Sequence, residues 1–373
     1  MLKATRLLKK FRGLSKKYRE IVFFSEGGNY WNTMAPIVES LLKRDRALTY
    51  LTMDNDDPGL RQVSDNVVSF CLGRGMGFMY FMSMLKADFV VMTTPGLQTL
   101  TIKRSPAVRH YIHVVHSPTG VSFYRKHSFD HFDTMMCSGK HQIDEIRRLE
   151  KIRNSKPKNL METGLPYMDK LSAQLKNSRE VHQKRTCILL APTWGPNGAL
   201  ARYRMRLIDI LASTGLDIII RPHPQQLESE RSLITELESA SKEFDHISWD
   251  FDPSGHNSML LSNIMISDLS GIIFDYAFVY EKPVITLDYE LDIRGFEHED
   301  LGGPIWEREI GGSLGAVVSG DYVDVLPETI ANILSRRNLK NEMRELREAS
   351  IFNFGHAGEA AAEQLIKLLE ASP

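Results

Sequence analysis

Residues 264–287 read IMISDLSGIIFDYAFVYEKPVITL and contain a complete strand–helix–strand pattern. The apolar run Ile264–Ser267 predicts a buried strand, residues Gly271–Tyr280 predict a helix, and Pro283–Leu287 predicts a second strand. A helix that connects two strands at this spacing is the unit from which parallel sheets are built. The stretch therefore predicts an α/β protein with a parallel sheet.

The same alternation extends through the rest of the chain and occurs in two blocks. Two such blocks predict two doubly wound, Rossmann-like domains facing a central cleft, with ligands beyond the carboxyl ends of the strands. The other predicted strands are Ile21–Ser25, Ala47–Met53, Val67–Leu72, Phe89–Thr93, Tyr111–Val115, Thr134–Cys137, Cys187–Ala191, Asp217–Arg221 and His246–Trp249. The other predicted helices are Pro36–Lys43, Gly77–Lys86, His141–Ile152, Leu200–Ser213, Leu227–Lys242 and Glu328–Ser335.

Four segments are expected along the chain. Residues 1–19 form a basic amphipathic segment, and residues 20–170 and 171–355 form an N-terminal and a C-terminal Rossmann-like domain. Residues 356–373 form a C-terminal helix that could pack back across the domains. The boundary between the domains is expected in a polar, charged stretch, because linkers have that composition.

The composition indicates a globular protein of the cytosol. The 373 residues include 46 Lys and Arg against 47 Asp and Glu, and 42% are apolar, which is close to the average for soluble proteins. The three cysteines are far apart, which argues against a disulfide framework. The sequence shows no apolar run of about 18 residues and no signal-peptide pattern, so no membrane span or leader is expected.

The N-terminal segment is the one strongly charged part of the chain. Residues 1–19 carry eight Lys or Arg residues and no acid, so the remainder is net acidic and nucleic-acid binding is not indicated. Leu7, Leu8, Phe11 and Leu14 follow a helical spacing. Two interpretations stand: a peripheral anchor on an anionic membrane, or a first helix packed on its domain.

Polar residues that directly follow predicted strands are the candidates for chemistry. His116 follows Tyr111–Val115, and an imidazole there can take a proton from an incoming hydroxyl. The alternative is a structural histidine that caps a loop. No HExxH pattern occurs, and no metal site is predicted.

The segment RPHP, residues 221–224, follows the predicted strand that begins at Asp217. Two prolines stiffen the backbone around His223, and an arginine fork beside a histidine suits a phosphate. The alternative is a rigid turn in which His223 donates a hydrogen bond to a backbone carbonyl.

Thr193 lies in the turn after Cys187–Ala191 and suits a contact with a phosphate or a ribose. The alternative is that this segment is a simple turn between a strand and a helix.

The segment SDLSG, residues 267–271, opens the predicted helix Gly271–Tyr280. Ser270 is the expected N-cap, and the amides that follow it form an anion site at a helix start. Ordinary capping is the alternative. Asp275, five residues after Ser270, could be an acid on the face of this helix that pairs with a basic group. No GxxxxGK[ST] or GxGxxG motif occurs, which argues against P-loop kinases and against dinucleotide-binding enzymes of the usual type.

Several of these segments occur together in the order found in one known family. HVVHSPTG (113–120), TGLPYMDKL (163–171), APTW (191–194), RPHP (221–224) and the stretch that begins at Ser267 resemble the CDP-glycerol glycerophosphotransferases. These are polyol-phosphate transferases of the teichoic-acid type. The resemblance spans about residues 110–290 and implies a GT-B-like fold of two doubly wound domains.

The resemblance also implies roles for individual residues. His116 matches the proposed general base on the acceptor hydroxyl, and His223 matches a second essential histidine near the pyrophosphate. The residues implied in substrate binding are Gly164, Thr193, Arg221, Ser267, Asp268, Ser270, Gly271 and Asp275. On this basis residues 20–170 form the acceptor domain and residues 171–355 the nucleotide-donor domain.

The implied reaction transfers a polyol phosphate, most simply glycerol phosphate, from a CDP-activated donor to a hydroxyl of a lipid-linked or cell-surface polymer. CMP leaves, no cofactor is implied beyond CDP-glycerol or a related CDP-polyol, and the need for a divalent ion stays open. A GT-B nucleotide-sugar glycosyltransferase or epimerase and an inactive membrane-associated scaffold remain as alternatives. The expected location is the cytoplasm, with a peripheral position on the cytoplasmic face of the inner membrane if residues 1–19 bind lipid.

Overall fold

A computed structural model describes residues 2–178, 185–290 and 293–371. These residues form two compact units. The first comprises residues 2–174, 293–303 and 350–371, and the second comprises residues 175–178, 185–290 and 304–349. The predicted domain boundary divides the chain once, after residue 170, whereas the first unit also takes in two later segments.

The first unit contains a seven-stranded sheet in which all neighbouring strands are parallel, in the order β3-β2-β1-β4-β5-β6-β7. Both faces of the sheet are covered, because the side chains of β1 point alternately into two apolar clusters. Val22 and Phe24 belong to one cluster, and Ile21 and Phe23 belong to the other. The strands are β1 Ile21–Ser25, β2 Leu48–Thr52, β3 Val67–Cys71, β4 Ala87–Met92, β5 Val108–Val114, β6 Thr134–Cys137 and β7 Asn159–Glu162.

Helices cover the two faces of this sheet. They are α1 Leu2–Arg12, α2 Lys17–Glu20, α3 Trp31–Leu42, α4 Met76–Ser83, α5 Lys140–Ile152, α6 Pro166–Asn177 (which begins in this unit), α13 His298–Leu301 and α17 Ala357–Glu370. Short 3₁₀ turns occur at Gly28–Tyr30 and Pro58–Arg61.

The N-terminal helix is packed on the first unit. Ala4, Leu8 and Phe11 are buried, and Leu8 and Phe11 join the apolar cluster that contains α4. The edge of the Phe11 ring meets Phe81 of α4 with the centroids 5.9 Å apart. The apolar stripe of this segment is therefore part of the core, as the second of the two interpretations expected.

The later segments join the first unit through specific contacts. Arg153 at the end of α5 binds Asp300 at 2.8 Å and also contacts the buried Glu297. Phe352 donates its N–H to the Ser138 carbonyl at 2.8 Å, and α17 packs along α3. A buried ion-pair network and an amphipathic helix thus add distant parts of the sequence to this unit.

The second unit contains a six-stranded parallel sheet in the order β10-β9-β8-β11-β12-β13. In both sheets the strand order reverses beside the first strand, which is the doubly wound arrangement that was predicted. β13 was not predicted from the sequence. The strands are β8 Cys187–Leu190, β9 Asp217–Ile220, β10 Ile247–Trp249, β11 Ile264–Ser267, β12 Val284–Asp288 and β13 Gly315–Ser319.

Three predicted helices of the second unit are interrupted. The helix expected at 200–213 breaks at Arg204 (φ 51°), and that at 227–242 breaks at Glu230. The helix expected at 271–280 is one α-turn followed by a π-helical turn, Asp275–Val279. The helices are α7 Ala199–Tyr203, α8 Met205–Ala212, α9 Pro224–Ser229, α10 Arg231–Ala240, α11 His256–Leu261, α12 Ile272–Phe274, α14 Trp306–Leu314, α15 Leu326–Leu334 and α16 Leu339–Ser350, with 3₁₀ turns at Ser241–Glu243 and Gly320–Val325.

Candidate active site

A pocket of about 460 Å³ lies at the carboxyl end of the first sheet. His116 lines it two residues beyond the end of β5, together with Tyr30, Tyr124 and Glu26. The Tyr30 ring stands nearly perpendicular to the imidazole, with the centroids 5.3 Å apart, and the Tyr124 ring lies at 6.1 Å. Aromatic walls thus hold the ring of His116 in place.

Burial keeps the His116 imidazole neutral. It lowers the pKa of His116 to about 4, although a backbone hydrogen bond with Thr93 acts in the opposite direction. A histidine with that pKa carries no charge near pH 7 and has a nitrogen lone pair ready to accept a proton. The side chain predicted to be a general base therefore has the protonation state that this role needs.

Glu26 and Tyr30 belong to the same pocket and were missed at the sequence level. Burial raises the pKa of Glu26, whereas a hydrogen bond with Thr94 and the charge of Arg74 lower it. Glu26 directly follows β1, so the rule that singled out His116, polar residues just beyond a parallel strand, also applied to it.

A second pocket, of about 330 Å³, lies at the carboxyl end of the sheet in the second unit. It brings together five of the residues expected in the site from two separate segments. These are Arg221, His223, Ser270, Gly271 and Asp275. Prolines 192, 222, 224 and 253 contribute much of the remaining wall, so the backbone around the pocket is stiff.

The tautomer of His223 follows from its position at the start of α9. Its Nδ1 accepts a hydrogen bond from the Gln225 N–H at 3.1 Å, which caps the helix. In the neutral ring the proton is then on Nε2, which can donate to an anion. Burial lowers the pKa of His223, and the charge of Arg221 acts in the same direction.

Arg221 lines the pocket, but its guanidinium is buried and largely committed to neighbouring groups. Its Nη1 donates to Asp250 Oδ2 at 2.9 Å, and its Nη2 donates to the Pro253 carbonyl at 3.2 Å. Gly255 (φ 62°) allows this approach, since a Cβ there would lie 2.6 Å from Arg221 Nε. The contacts favour a role in holding the 250–255 loop against the pocket.

Ser270 does not cap the following helix with its side chain, contrary to the sequence-based expectation. The residue before α12 is Gly271, and no side-chain cap is present. The Ser270 N–H donates to the Asp268 carbonyl at 2.8 Å, so the turn closes on its own backbone. Ser270 lines the pocket instead, where its hydroxyl can contact a ligand.

Ser267, Asp268 and Thr193 lie behind the pocket and do not line it. The buried Ser267 hydroxyl donates to the Ala191 carbonyl at 2.6 Å. The buried Asp268 carboxylate accepts from the Thr193 N–H at 2.7 Å, the Ala199 N–H at 3.1 Å and the Tyr289 hydroxyl at 2.8 Å. These contacts join the turns after β8 and β11, a role that local sequence could not distinguish from ligand binding.

Gly164 lies in the first unit and outside the described pockets. It has φ 85°, and a Cβ there would stand 2.1 Å from the Phe352 carbonyl oxygen. Five residues later, Asp169 accepts the Gly358 N–H at 2.8 Å at the start of α17. The segment TGLPYMDKL therefore docks the C-terminal part of the chain.

Two further properties concern metals and membranes. Among the residues described, no group of three or more His, Cys, Asp and Glu side chains is arranged to bind a metal ion. Within the same residues, none of the helices has the length and apolar character that crossing a bilayer requires.

The fold has clear relatives among solved structures. The wall teichoic acid polymerase TagF, from a crystal soaked with CDPG, aligns over 99% of this chain and 96% of its own with a TM-score of 0.57 and 16% identity. The UDP-GlcNAc 2-epimerase from Neisseria meningitidis, bound to UDP-GlcNAc, aligns over 93% and 100% with a TM-score of 0.61 and 14% identity. The architecture is GT-B-like, as predicted.

The sequence assigns the chain within this fold. The chain belongs to the CDP-glycerol:poly(glycerophosphate) glycerophosphotransferase family, whose sequence pattern matches residues 8–301. A teichoic acid poly(glycerol phosphate) polymerase from Bacillus spizizenii is 29% identical over 167 residues. The match covers 38% of this chain and 39% of that relative's length. The family that the motifs indicated is thereby confirmed.

Proposed function

We propose that this protein transfers glycerol phosphate from CDP-glycerol to a hydroxyl of a poly(glycerol phosphate) or lipid-linked acceptor and releases CMP. The family description supports the donor and the polymeric acceptor, and the named activity of the Bacillus relative supports the same pair. The observation that carries the proposal is the half-buried His116 imidazole in a pocket beyond β5, held between the rings of Tyr30 and Tyr124.

His116 is the proposed general base. The acceptor oxygen attacks the β-phosphorus of the donor, its proton passes to the free imidazole nitrogen, and a new P–O bond forms. The bond from that phosphorus to the oxygen bridging the two phosphates breaks, and CMP leaves with that oxygen. A well-placed base contributes about 10²–10⁴-fold to such a step.

The pocket of the second unit is the proposed donor site. The Nε2–H of His223 and the hydroxyl of Ser270 are donors suited to phosphate oxygens, and Arg221 adds positive charge at the wall. Asp275 would oppose a phosphate, so we assign it to a hydroxyl of the ribose or glycerol. Ser267, Asp268 and Thr193 support the turns behind this pocket, and Gly164 docks the C-terminal segment.

The decisive experiment is a donor panel with the purified protein. CDP-glycerol, CDP-ribitol and UDP-sugars are supplied with a poly(glycerol phosphate) or crude membrane acceptor, and CMP or UDP is measured. We expect CMP from CDP-glycerol, a loss of about 10²-fold or more in His116→Ala with donor binding retained, and weakened donor binding in His223→Ala.

The panel also separates the other functions. UDP release without CMP release would indicate a nucleotide-sugar enzyme, and failure to bind any nucleotide would indicate a scaffold. Equal loss of donor binding in both histidine variants would contradict the division between base and donor site.

We also infer a cytoplasmic location with access to the membrane surface, since a lipid-linked acceptor would be held there. The apolar residues of α1 are packed in the core, which leaves Lys3, Lys9 and Lys10 of its exposed face for contact with anionic lipid. Reduced sedimentation with anionic vesicles after replacing these lysines by glutamine would support this location, and unchanged sedimentation would contradict it.

A further inference from the structure

Two basic pockets lie at the amino end of the sheet in the first unit, the edge opposite to His116. One, of about 300 Å³, is lined by Lys16, Arg19 and Lys86 before the starts of β1 and β4. The other, of about 600 Å³, is lined by Arg104 and by Lys156 before β7, among others. Arg109 lines both pockets, so the two adjoin at this side chain, and together they are called the groove below.

Cations outnumber anions in this groove. Seven Lys or Arg and three Asp side chains line it. Each of the three acids has a partner: Asp88 pairs with Arg109 at 3.8 Å, Asp133 with Arg104 at 2.9 Å, and Asp130 with Arg153 at 2.7 Å. By contrast, Lys16, Lys86 and Lys156 are exposed and form no ion pair with any acidic residue that the structure describes.

The pKa of His110, which lines the larger of the two pockets, reflects the same excess of positive charge. Burial lowers the pKa of His110, and the charges of Arg104, Arg109 and Lys156 lower it further, although Asp133 acts in the opposite direction. The buried Nε of Arg19 has no hydrogen-bond partner among the described residues. Cationic groups with donors to spare are suited to phosphate oxygens.

We propose that this groove binds the poly(glycerol phosphate) chain as a second site, remote from the reacting end. The proposal rests on the proposed function, which makes that polyanion the acceptor. A linear phosphodiester presents charges at regular spacing and can lie along two adjoining concave pockets. None of the large exposed apolar side chains that the structure describes lines the groove, so it lacks the groups that insert into lipid.

The position of the groove predicts a dependence on chain length. It lies at the start of β5, whereas His116 lies beyond its end, and a seven-residue strand spans about 23 Å. An acceptor of one or two repeats at His116 is too short to reach the groove, while a long polymer can occupy both places. Binding and transfer of short acceptors should therefore not depend on the groove, whereas binding of long acceptors should depend on it.

The test compares the full chain with Lys16→Glu/Lys86→Glu/Lys156→Glu and with a matched control, Lys43→Glu/Lys242→Glu/Lys367→Glu, which reverses three exposed lysines outside the groove. Binding of labelled long poly(glycerol phosphate) is measured at low and high salt. At low salt we expect the groove variant to bind the polymer at least about tenfold more weakly than the original protein, and the control to bind it equally well. This difference in affinity should shrink at high salt.

Transfer to a two-repeat acceptor should proceed equally in all three proteins. Equal polymer binding by the groove variant and the control would overturn the proposal. The proposal would also be overturned if the groove variant lost binding to phosphatidylglycerol vesicles but still bound the polymer. That result would assign the groove to membrane binding. If no protein transfers glycerol phosphate, the proposed function fails, while the polymer-binding comparison still decides whether the groove holds the polyanion.

Discussion

The carboxylate of Asp268, at the end of β11, accepts the backbone N–H of Thr193, after the neighbouring strand β8, at 2.7 Å. The same carboxylate accepts the Ala199 N–H and the Tyr289 hydroxyl. It thereby fixes both ends of the 193–199 turn, which carries the half-exposed Trp194 beside His223, with the ring centroids 6.4 Å apart. Asp268 is thus a positioning residue for the turn that follows Ala191 and Pro192 in the wall of the proposed donor pocket.

Asp268→Asn should loosen this wall. The amide would turn a donor toward groups that already donate, leaving a buried N–H or hydroxyl unsatisfied at a cost of about 1–3 kcal/mol in the free energy of unfolding. We expect a raised KM for CDP-glycerol with a smaller change in kcat, measured by CMP release and urea unfolding.

Tyr289→Phe is the matched control for that variant. It removes one of the three donors and leaves the two backbone contacts intact. A smaller loss of stability than in Asp268→Asn is expected, and a larger loss would contradict the assignment of the carboxylate as the centre of the contacts.

The pH profile of turnover tests the state of His116. Because burial lowers its pKa to about 4, the imidazole is deprotonated well below the usual histidine range. The acid limb of kcat/KM should therefore lie near that value and not near the ordinary 6.5. An acid limb at the ordinary value would show that the ring is more hydrated than its burial indicates.

Acid should destabilise the first unit through buried neutral histidines. Burial lowers the pKa of His113 to about 3 and those of His116 and His141 to about 4. As pH falls below the unfolded value of 6.5, the unfolded chain takes up protons that the folded chain does not. The free energy of unfolding should then fall by up to about 1.4 kcal/mol per pH unit for each histidine.

Urea unfolding followed by tryptophan fluorescence measures this slope between the ordinary histidine pKa and about pH 5. His113→Leu should make the slope shallower, because that ring lies between Phe129 and Phe132 and is fully buried. His131→Gln, at an exposed position, is the control and should leave the slope as it is. An unchanged slope in His113→Leu would contradict the explanation.

Gly164→Ala should destabilise the docking of the C-terminal segment. The added methyl group would lie 2.1 Å from the Phe352 carbonyl oxygen, and the residue would keep a strained positive φ. We expect a loss of about 1–3 kcal/mol and faster proteolysis before α17. Gly312→Ala, in α14 with open space around it, should be neutral or stabilising by about 0.5–1 kcal/mol.

Much of the fold is encoded in local sequence. Eleven strands could be predicted, because a buried parallel strand is a short run of β-branched and other apolar residues whatever lies around it. The positions of His116, His223 and Ser270 also follow from the chain alone, since the carboxyl ends of parallel strands meet at one edge of a sheet. The family could be recognised from the same segments.

Tertiary structure decided which polar residues line a pocket and which lie behind it. Asp268 and Ser270 are two residues apart, yet the first is buried under three donors and the second lines the pocket. Glu26 reaches the His116 pocket, and residues 293–303 join the first unit through Arg153. Burial, partner choice and pKa depend on atoms brought together from distant parts of the chain, which no local pattern of residues contains.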